Sequence, residues 1–310
     1  MTAPAALSAV RVSPPGAPAE APRSSAAARL RRERLVFHLL RLNSLLIVGL
    51  LAVILWFLLS RGAAKAFSWP FLSEMPRDGM TQGGILPAIV GTLLLTAVAM
   101  VVSLPMGVLS AIYLNEYAKE GTLKRVIRLA TNNLAGVPSV VFGLFGMALF
   151  VKGLGFGTSI LAGGLTLALV ALPVIIRTTE EALKTVPKSY REASLALGAT
   201  QWQTVRRVVL PAAASGILTG SILSLGRVAG ETAPILFTAA AYFLPRLPDS
   251  LLDQVMALPY HLYVIATSGT QIEKSRPMAY GTAVVLLMLV TILNLAAVLL
   301  RSRFRKMTKH

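Results

Sequence analysis

Apolar residues in this chain neither alternate nor trace a single helix face. They come in long runs, at 42–60, 85–114, 126–151, 156–176 and 280–300. Each is close to or above the roughly 20 residues that carry a helix across a bilayer. A further run, 205–241, is interrupted by Arg227 and Glu231. Pro87, Pro105, Pro138 and Pro173 lie inside these stretches, which membrane helices tolerate better than soluble ones. The pattern predicts an all-α integral membrane protein with six spans. Connections 61–84, 152–155 and 242–279 then fall on one side. Connections 115–125 and 177–204 fall on the other, with both termini.

Composition agrees. Hydrophobic residues make up 55% of the 310 and charged residues 14%, with a mean hydropathy of +0.68, whereas a soluble domain carries about 25% charged residues. The net charge of +17 would suggest nucleic acid if it were clustered on one soluble face. Instead, 22 lysines and arginines fall on the side of the termini and 7 on the other. That bias makes the charge a topology signal, with both termini cytoplasmic and some attraction to anionic lipid, and argues against nucleic acid as a partner. Residues 1–34 are expected to form a disordered basic cytoplasmic tail, since Ala, Pro and Ser dominate them without an apolar period. Residues 35–310 are expected to form the membrane domain. Ala64-Lys65-Ala66 resembles a signal-peptide cleavage site, but the run before it is long and begins late, which fits a retained anchor.

The chain has no cysteine and three scattered histidines, His38, His261 and His310. Disulfides, thiol chemistry and Cys-ligated metals are excluded, and no metal site is expected. Gly153-Leu-Gly155-Phe-Gly157 reads as a tight turn, because it lacks the lysine of a phosphate-cradling loop. No cofactor is expected in this chain. HExxH, paired intramembrane aspartates and GxSxG are absent from the sequence, which argues against an enzyme.

The connection 177–204 carries the densest information. Pro187 can open a short helix and Gly198 can close it in a left-handed conformation. Thr200-Gln-Trp-Gln203 then fits a capping box. Within this stretch stand Glu192-Ala193-Ser194 and Gly198, followed by Val208-Val-Leu210-Pro211. This spacing resembles the EAA loop of bacterial ABC-importer permeases, with Ser194 for the usual Ala and Val208 for Ile. The resemblance implies a type I importer (MetI-like) fold in which Glu192, Ala193, Ser194 and Gly198 belong to a coupling helix. That helix would dock on a separate ATPase dimer, which binds ATP and Mg.

Arg227 and Glu231 lie four residues apart inside an apolar run, where each ionised group costs at least about 2.5–3.5 kcal/mol. Gly226 and Gly230 form a GxxxG pair suited to a close helix neighbour. Two readings stay open. The pair locks helices together, or Arg227 meets an oxyanion and Glu231 accepts a hydrogen bond from a ligand that keeps a proton, as phosphate does and sulfate does not. Arg227 is about 24 Å along the helix from Pro211, which fits a gate as well as a central site. Pro138 with Ser139 reads as a simple kink, with a broken helix facing an anion as the alternative. An amphipathic helix is expected at 250–257, ended by Pro259.

The segment 226–234, GRVAGETAP, together with 135–143 and 256–267, resembles the phosphate-specific (Pst) permeases of A type over about residues 35–300. That resemblance implies a phosphate importer in a bacterial inner membrane, with Arg227, Glu231, Thr232 and Ser139 lining the path or gate. Its implied partners are a PstC-type sister permease, a PstB-type ATPase dimer and a PstS-type periplasmic phosphate-binding protein. Sulfate, molybdate or phosphonate transport is the alternative.

Overall fold

The computed structural model describes residues 23–267 and 272–307. The chain forms two units, divided after Trp56. The first is the leading part of helix α1 (Arg23–Ala66). Its side chains from Leu30 onward are exposed all round apart from Leu55, although most are apolar. A helix apolar on every side belongs in lipid or protein rather than water. Residues 1–22 of the expected tail lie outside the described residues. Residues 23–34, expected in the same tail, are helical instead. Pro22 is the last breaker, and the Ala-, Arg- and Leu-rich stretch after it has high helix propensity.

The second unit holds the end of α1 and everything after it. Short α2 (Trp69–Ser73) leads into a hairpin of β1 (Pro76–Arg77) and β2 (Gln82–Gly83). Then come α3 (Leu86–Ile112), α4 (Thr122–Ala135), α5 (Ser139–Gly146), α6 (Ile160–Lys184), α7 (Lys188–Ala196) and α8 (Gln201–Thr204). The chain ends with α9 (Leu210–Gly230), α10 (Ala233–Leu236), α11 (Leu258–Thr267) and α12 (Ile272–Met307). Single π-helical stretches extend α3 and α5 and join α8 to α9.

Among the described residues, five helices are long and apolar enough to cross a membrane: Leu30–Ala66, Leu86–Tyr117, Ile160–Lys184, Gln201–Gly230 and Glu273–Arg303. A sixth crossing exists if the pair Thr122–Ala135 and Ser139–Gly153, bent by 105°, counts as one span. The kink expected at Pro138 is therefore a break. Pro138 takes an extended ψ of 138° and caps α5, because proline has no N–H to continue the ladder of α4.

α6 is the central post. α3, α5 and α9 pack against it, and α12 packs on α9. The α3–α6 contact is close because glycine faces side chain: a Cβ on Gly107 would lie 2.6 Å from Cγ2 of Ile175, and one on Gly164 would strike Val98. Three apolar clusters form the core. One gathers Phe71, Ile85, Met256, Leu258 and Val284. The next holds Leu95, Leu167, Ile175 and Val228. The last holds Ile112, Leu183, Val205 and Val209, at the C-terminal end of α6.

Three further expectations change. The 177–204 connection begins later, since α6 stays helical to Lys184. The 205–241 run is not one helix, because α9 stops at Gly230 and Glu231 is extended at ψ 130°. No helix forms at 250–257. There the Asp253 carboxylate accepts hydrogen bonds from the backbone N–H of Asp249 (2.9 Å) and Ser250 (3.1 Å), folding a turn. The carbonyls of Thr238, Asp253 and Leu251 accept from Ser159, Ile160 and Leu161, donors at the start of α6 that no intrahelical acceptor can serve. Pro259 opens α11 rather than ending a helix, as its missing N–H permits.

Candidate functional site

Arg227 and Glu231 come together at the end of α9. Arg227 Nε lies 3.3 Å from Glu231 Oε1. The Arg227 side chain is 46% exposed and that of Glu231 15%. The contact is single, so the guanidinium keeps donors free beside a carboxylate that is mostly covered. The helix break carries the Glu231 backbone out of α9. Its side chain lines a small crevice where α3, α6, α9 and α11 meet, with Thr92, Thr96, Leu167, Val228 and Pro259. Thr92 braces this junction: its hydroxyl donates to the Ala88 carbonyl at 2.7 Å and accepts from the Leu258 N–H at 2.8 Å. Thr232 is the N-cap residue of α10, and its carbonyl accepts from Leu236 N–H.

Only one glycine of the GxxxG pair admits a close neighbour. A Cβ on Gly226 would lie 2.8 Å from Asn294 Nδ2 of α12, whereas one on Gly230 would meet open space. Ser139 stands in the first turn of α5, half-buried, and is not hydrogen-bonded to Arg227, Glu231 or Thr232. Its helix meets α10 instead, where Gly143 lets the carbonyl of Ala233 come close.

The second group lies past the other end of α6. Pro187 caps α7, and Gly198 at φ +81° closes it, as the sequence predicts. Gly198 N–H donates to the Leu195 carbonyl (2.9 Å) and Ala199 N–H to that of Ser194 (3.2 Å). The capping box at Thr200–Gln203 is formed on both sides. Glu192 and Ala193 are exposed, and Glu192 forms no ion pair among the described residues. Ser194 is half-buried, with its hydroxyl 2.9 Å from that of Thr204.

The residue that fixes α7 is Arg191, which the sequence did not single out. It grips Glu116, at the end of α3, through Nε–Oε2 at 3.0 Å and Nη2–Oε1 at 2.7 Å. It also donates to the carbonyls of Val186 and Leu183. From Glu116, the carbonyl accepts from Gln201 Nε2 and the carboxylate from Asn115 Nδ2. The Glu116 side chain is only 8% exposed. The exposed side of α7 thus carries the Glu192-Ala193 pair, while its buried side is clamped to the membrane helices. Tyr190, Leu195 and Leu197 are also exposed there, Leu197 at 90%. No cluster of His, Cys, Asp and Glu suited to a metal occurs among the described residues.

A family model for the binding-protein-dependent transport system inner membrane component matches residues 103–306. The chain is 32% identical over 277 residues to the probable ABC transporter permease protein YqgI of Bacillus subtilis (strain 168), covering 86% of this chain and 93% of that protein. It is 37% identical over 251 residues to phosphate transport system permease protein PstA 1 of Mycobacterium tuberculosis (strain ATCC 25618 / H37Rv), covering 80% of each. The Pasteurella multocida (strain Pm70) phosphate transport system permease protein PstA is 35% identical over 245 residues, covering 79% of this chain and 85% of that one. Among solved structures, an inward-facing MetNI methionine ABC transporter matches with a TM-score of 0.56 at 22% identity, covering 71% of this chain and 94% of that chain. A bacterial ABC transporter involved in import of the acidic polysaccharide alginate matches at 0.53 and 17% identity, covering 87% and 99%.

Proposed function

This chain belongs to the binding-protein-dependent transport system inner membrane components, and we propose that it is one of two permease subunits of an ATP-driven importer of inorganic phosphate. It is a membrane transport subunit rather than an enzyme. The work of moving the ion comes from a separate ATPase, which binds ATP and Mg. The sister permease is of PstC type, the ATPase dimer of PstB type and the periplasmic binding protein of PstS type. The membrane is the bacterial inner membrane, with both termini cytoplasmic.

In this reading phosphate passes between the two permeases and meets Arg227 on the face of α9. Free guanidinium donors bind its oxygens. Glu231 accepts the hydrogen bond of the proton that phosphate retains near neutral pH. Sulfate offers only acceptors, so the same carboxylate repels it. α7 sits in a groove of the ATPase dimer. Closure of the dimer on ATP moves α7, and the Arg191–Glu116 clamp passes that movement to α3.

The observation that supports the substrate best is the likeness to phosphate permeases across four-fifths of the chain, with the half-open Arg227–Glu231 pair inside the matched region. Uptake of radiolabelled phosphate by the assembled complex in proteoliposomes tests it. Arg227→Gln is expected to lower uptake at least tenfold, about 1.4 kcal/mol, with assembly unchanged. Glu231→Gln is expected to let sulfate compete. Wild-type uptake by Arg227→Gln would leave the pair a structural lock, and equal competition by sulfate or molybdate in the wild type would remove phosphate as the specific substrate.

A further inference from the structure

A further arginine–glutamate pair, distinct from Arg227–Glu231 and from the Arg191–Glu116 clamp, stands at the other end of α6, outside everything assigned above. Arg128 on α4 faces Glu180 on α6, with Nε 3.5 Å from Oε1. The two atoms are shut off from solvent, and neither makes a hydrogen bond. Glu180 as a whole is 8% exposed. A buried donor and a buried acceptor, both unsatisfied, are costly and call for an explanation. They line a cavity of about 210 Å³ that also receives Thr131, Asn132, Arg177 and Lys184. Arg128, Asn132 and Lys184 make no hydrogen bond to protein among the described residues. Since a water occupies roughly 30 Å³ in the liquid, the space accommodates a small tetrahedral ion with waters around it.

The chemistry of the lining narrows the ligand. Arg128, Arg177 and Lys184 outweigh Glu180 and Glu181 by one positive charge. Arg177 is already engaged with Glu181 at 3.6 Å, which leaves Arg128 and Lys184 as the donors. An anion of acceptors alone would satisfy Arg128 and leave Glu180 repelled. An oxyanion that keeps a proton suits both side chains, accepting from the terminal nitrogens of the guanidinium and donating its O–H to the second carboxylate oxygen of Glu180, since Nε and Oε1 are closed off against each other. We propose that Arg128 and Glu180 form an inner phosphate-binding site, on the side of the chain where α7 emerges. The proposal deepens the phosphate reading above and rests on it. The site repeats the logic of Arg227–Glu231 at a second point along the chain, so phosphate released toward the ATPase side is held again before it leaves. The phosphodiester of a phosphatidylglycerol headgroup offers the same oxyanion without the proton, and is therefore the poorer match.

The absence of cysteine from the chain permits a direct test. Asn132→Cys places one thiol at the cavity in the complete complex, and its alkylation by a small anionic reagent is followed on this subunit. Millimolar phosphate is expected to slow alkylation several-fold, and sulfate to leave it unchanged. The double substitution Arg128→Gln/Glu180→Gln, which neutralises both partners together and leaves a polar side chain at each position, is expected to abolish protection while alkylation without phosphate still proceeds. Three results overturn the site: no protection by phosphate, equal protection by sulfate, or protection that survives the double substitution. Running the assay in detergent and in phosphatidylglycerol nanodiscs separates the two sources. Protection by the lipid and not by phosphate makes this a headgroup site and overturns the proposal. Phosphate uptake by the wild-type complex, measured in parallel, keeps the two readings apart: uptake without protection sinks the inner site alone, and no uptake sinks the transport reading itself.

Discussion

At Gly198 the backbone turns through φ +81° with open space where a Cβ would be. The requirement there is conformational, not steric. Gly198→Ala is expected to cost about 1–2 kcal/mol, the penalty of a left-handed residue with a side chain. The consequence is a frayed end of α7 and weaker stimulation of ATP hydrolysis by the loaded binding protein, with insertion intact. Unchanged stimulation would show that the left-handed closure is dispensable. His261 makes a different kind of prediction. Both its ring nitrogens are buried without a hydrogen-bond partner, and burial pulls the imidazole down to about 4. A ring held neutral in the fold stabilises it fully above the free value of about 6.5, and that stability is lost as the pH falls toward 4. The loss at the acid end is about 3 kcal/mol. The melting temperature of the solubilised complex is expected to fall as the pH drops from about 7 to about 4.5, and less so in His261→Phe. An identical fall in both would assign the acid sensitivity elsewhere.

At the scale of the element, α7 shows what a sequence discloses and what it hides. Its limits were legible, because Pro187, Gly198 and the Thr200–Gln203 box act on their own neighbours. Its attachment was not, because Glu116 is 75 residues from Arg191 in sequence. A local pattern cannot announce a partner that only the packing of α3 beside α6 supplies. Proline at 138 posed a related ambiguity: a missing N–H permits either a kink or a break. The choice fell to the contacts of Gly143 with α10 and of Arg128 with Glu180, which pull the two halves different ways. In 250–257 an amphipathic period was outcompeted by the Asp253 turn and by the unserved donors of α6. The clamp gives the sharpest test at this scale. Arg191→Ala strands a nearly buried carboxylate, a change that costs about 3 kcal/mol. It should expose 185–200 to protease and uncouple ATP hydrolysis from transport. Arg191→Lys should restore little, since an ammonium cannot make the paired contact. Glu192→Lys, on the exposed side of the same helix, should uncouple without any gain in cleavage. Normal uptake by Glu192→Lys would remove α7 as the docking element.

For the molecule as a whole, the bent pair decides the topology of everything after it. The part from Ser139 to Gly153 spans about 22 Å at helical rise, short of the roughly 30 Å of a hydrocarbon core, so it completes a crossing only with help from α4. If the pair does not cross, the chain on either side of it, near Lys119 and near Lys152, lies on one face of the membrane. α7 and the loop from Tyr242 onward then exchange sides. The basic residues would in that case be split between the two faces rather than gathered, against the asymmetry of 22 to 7. α4 shows how the crossing is completed. Lys124, Arg128 and Thr131 face protein, while Leu123, Val126 and Leu129 are turned outward together with Arg125, Asn132 and Asn133. An outward side that carries both leucine and arginine fits a helix entering the membrane at its polar boundary, where a long basic side chain reaches the headgroups. Single cysteines at Lys119 and Lys152, both exposed, are therefore expected to react with a membrane-impermeant maleimide from opposite sides, and one at Lys188 from the same side as Lys119. Labelling of Lys119→Cys and Lys152→Cys from one side would make the pair a re-entrant loop, turn α7 away from the cytoplasm, and leave the ATPase nothing to grip.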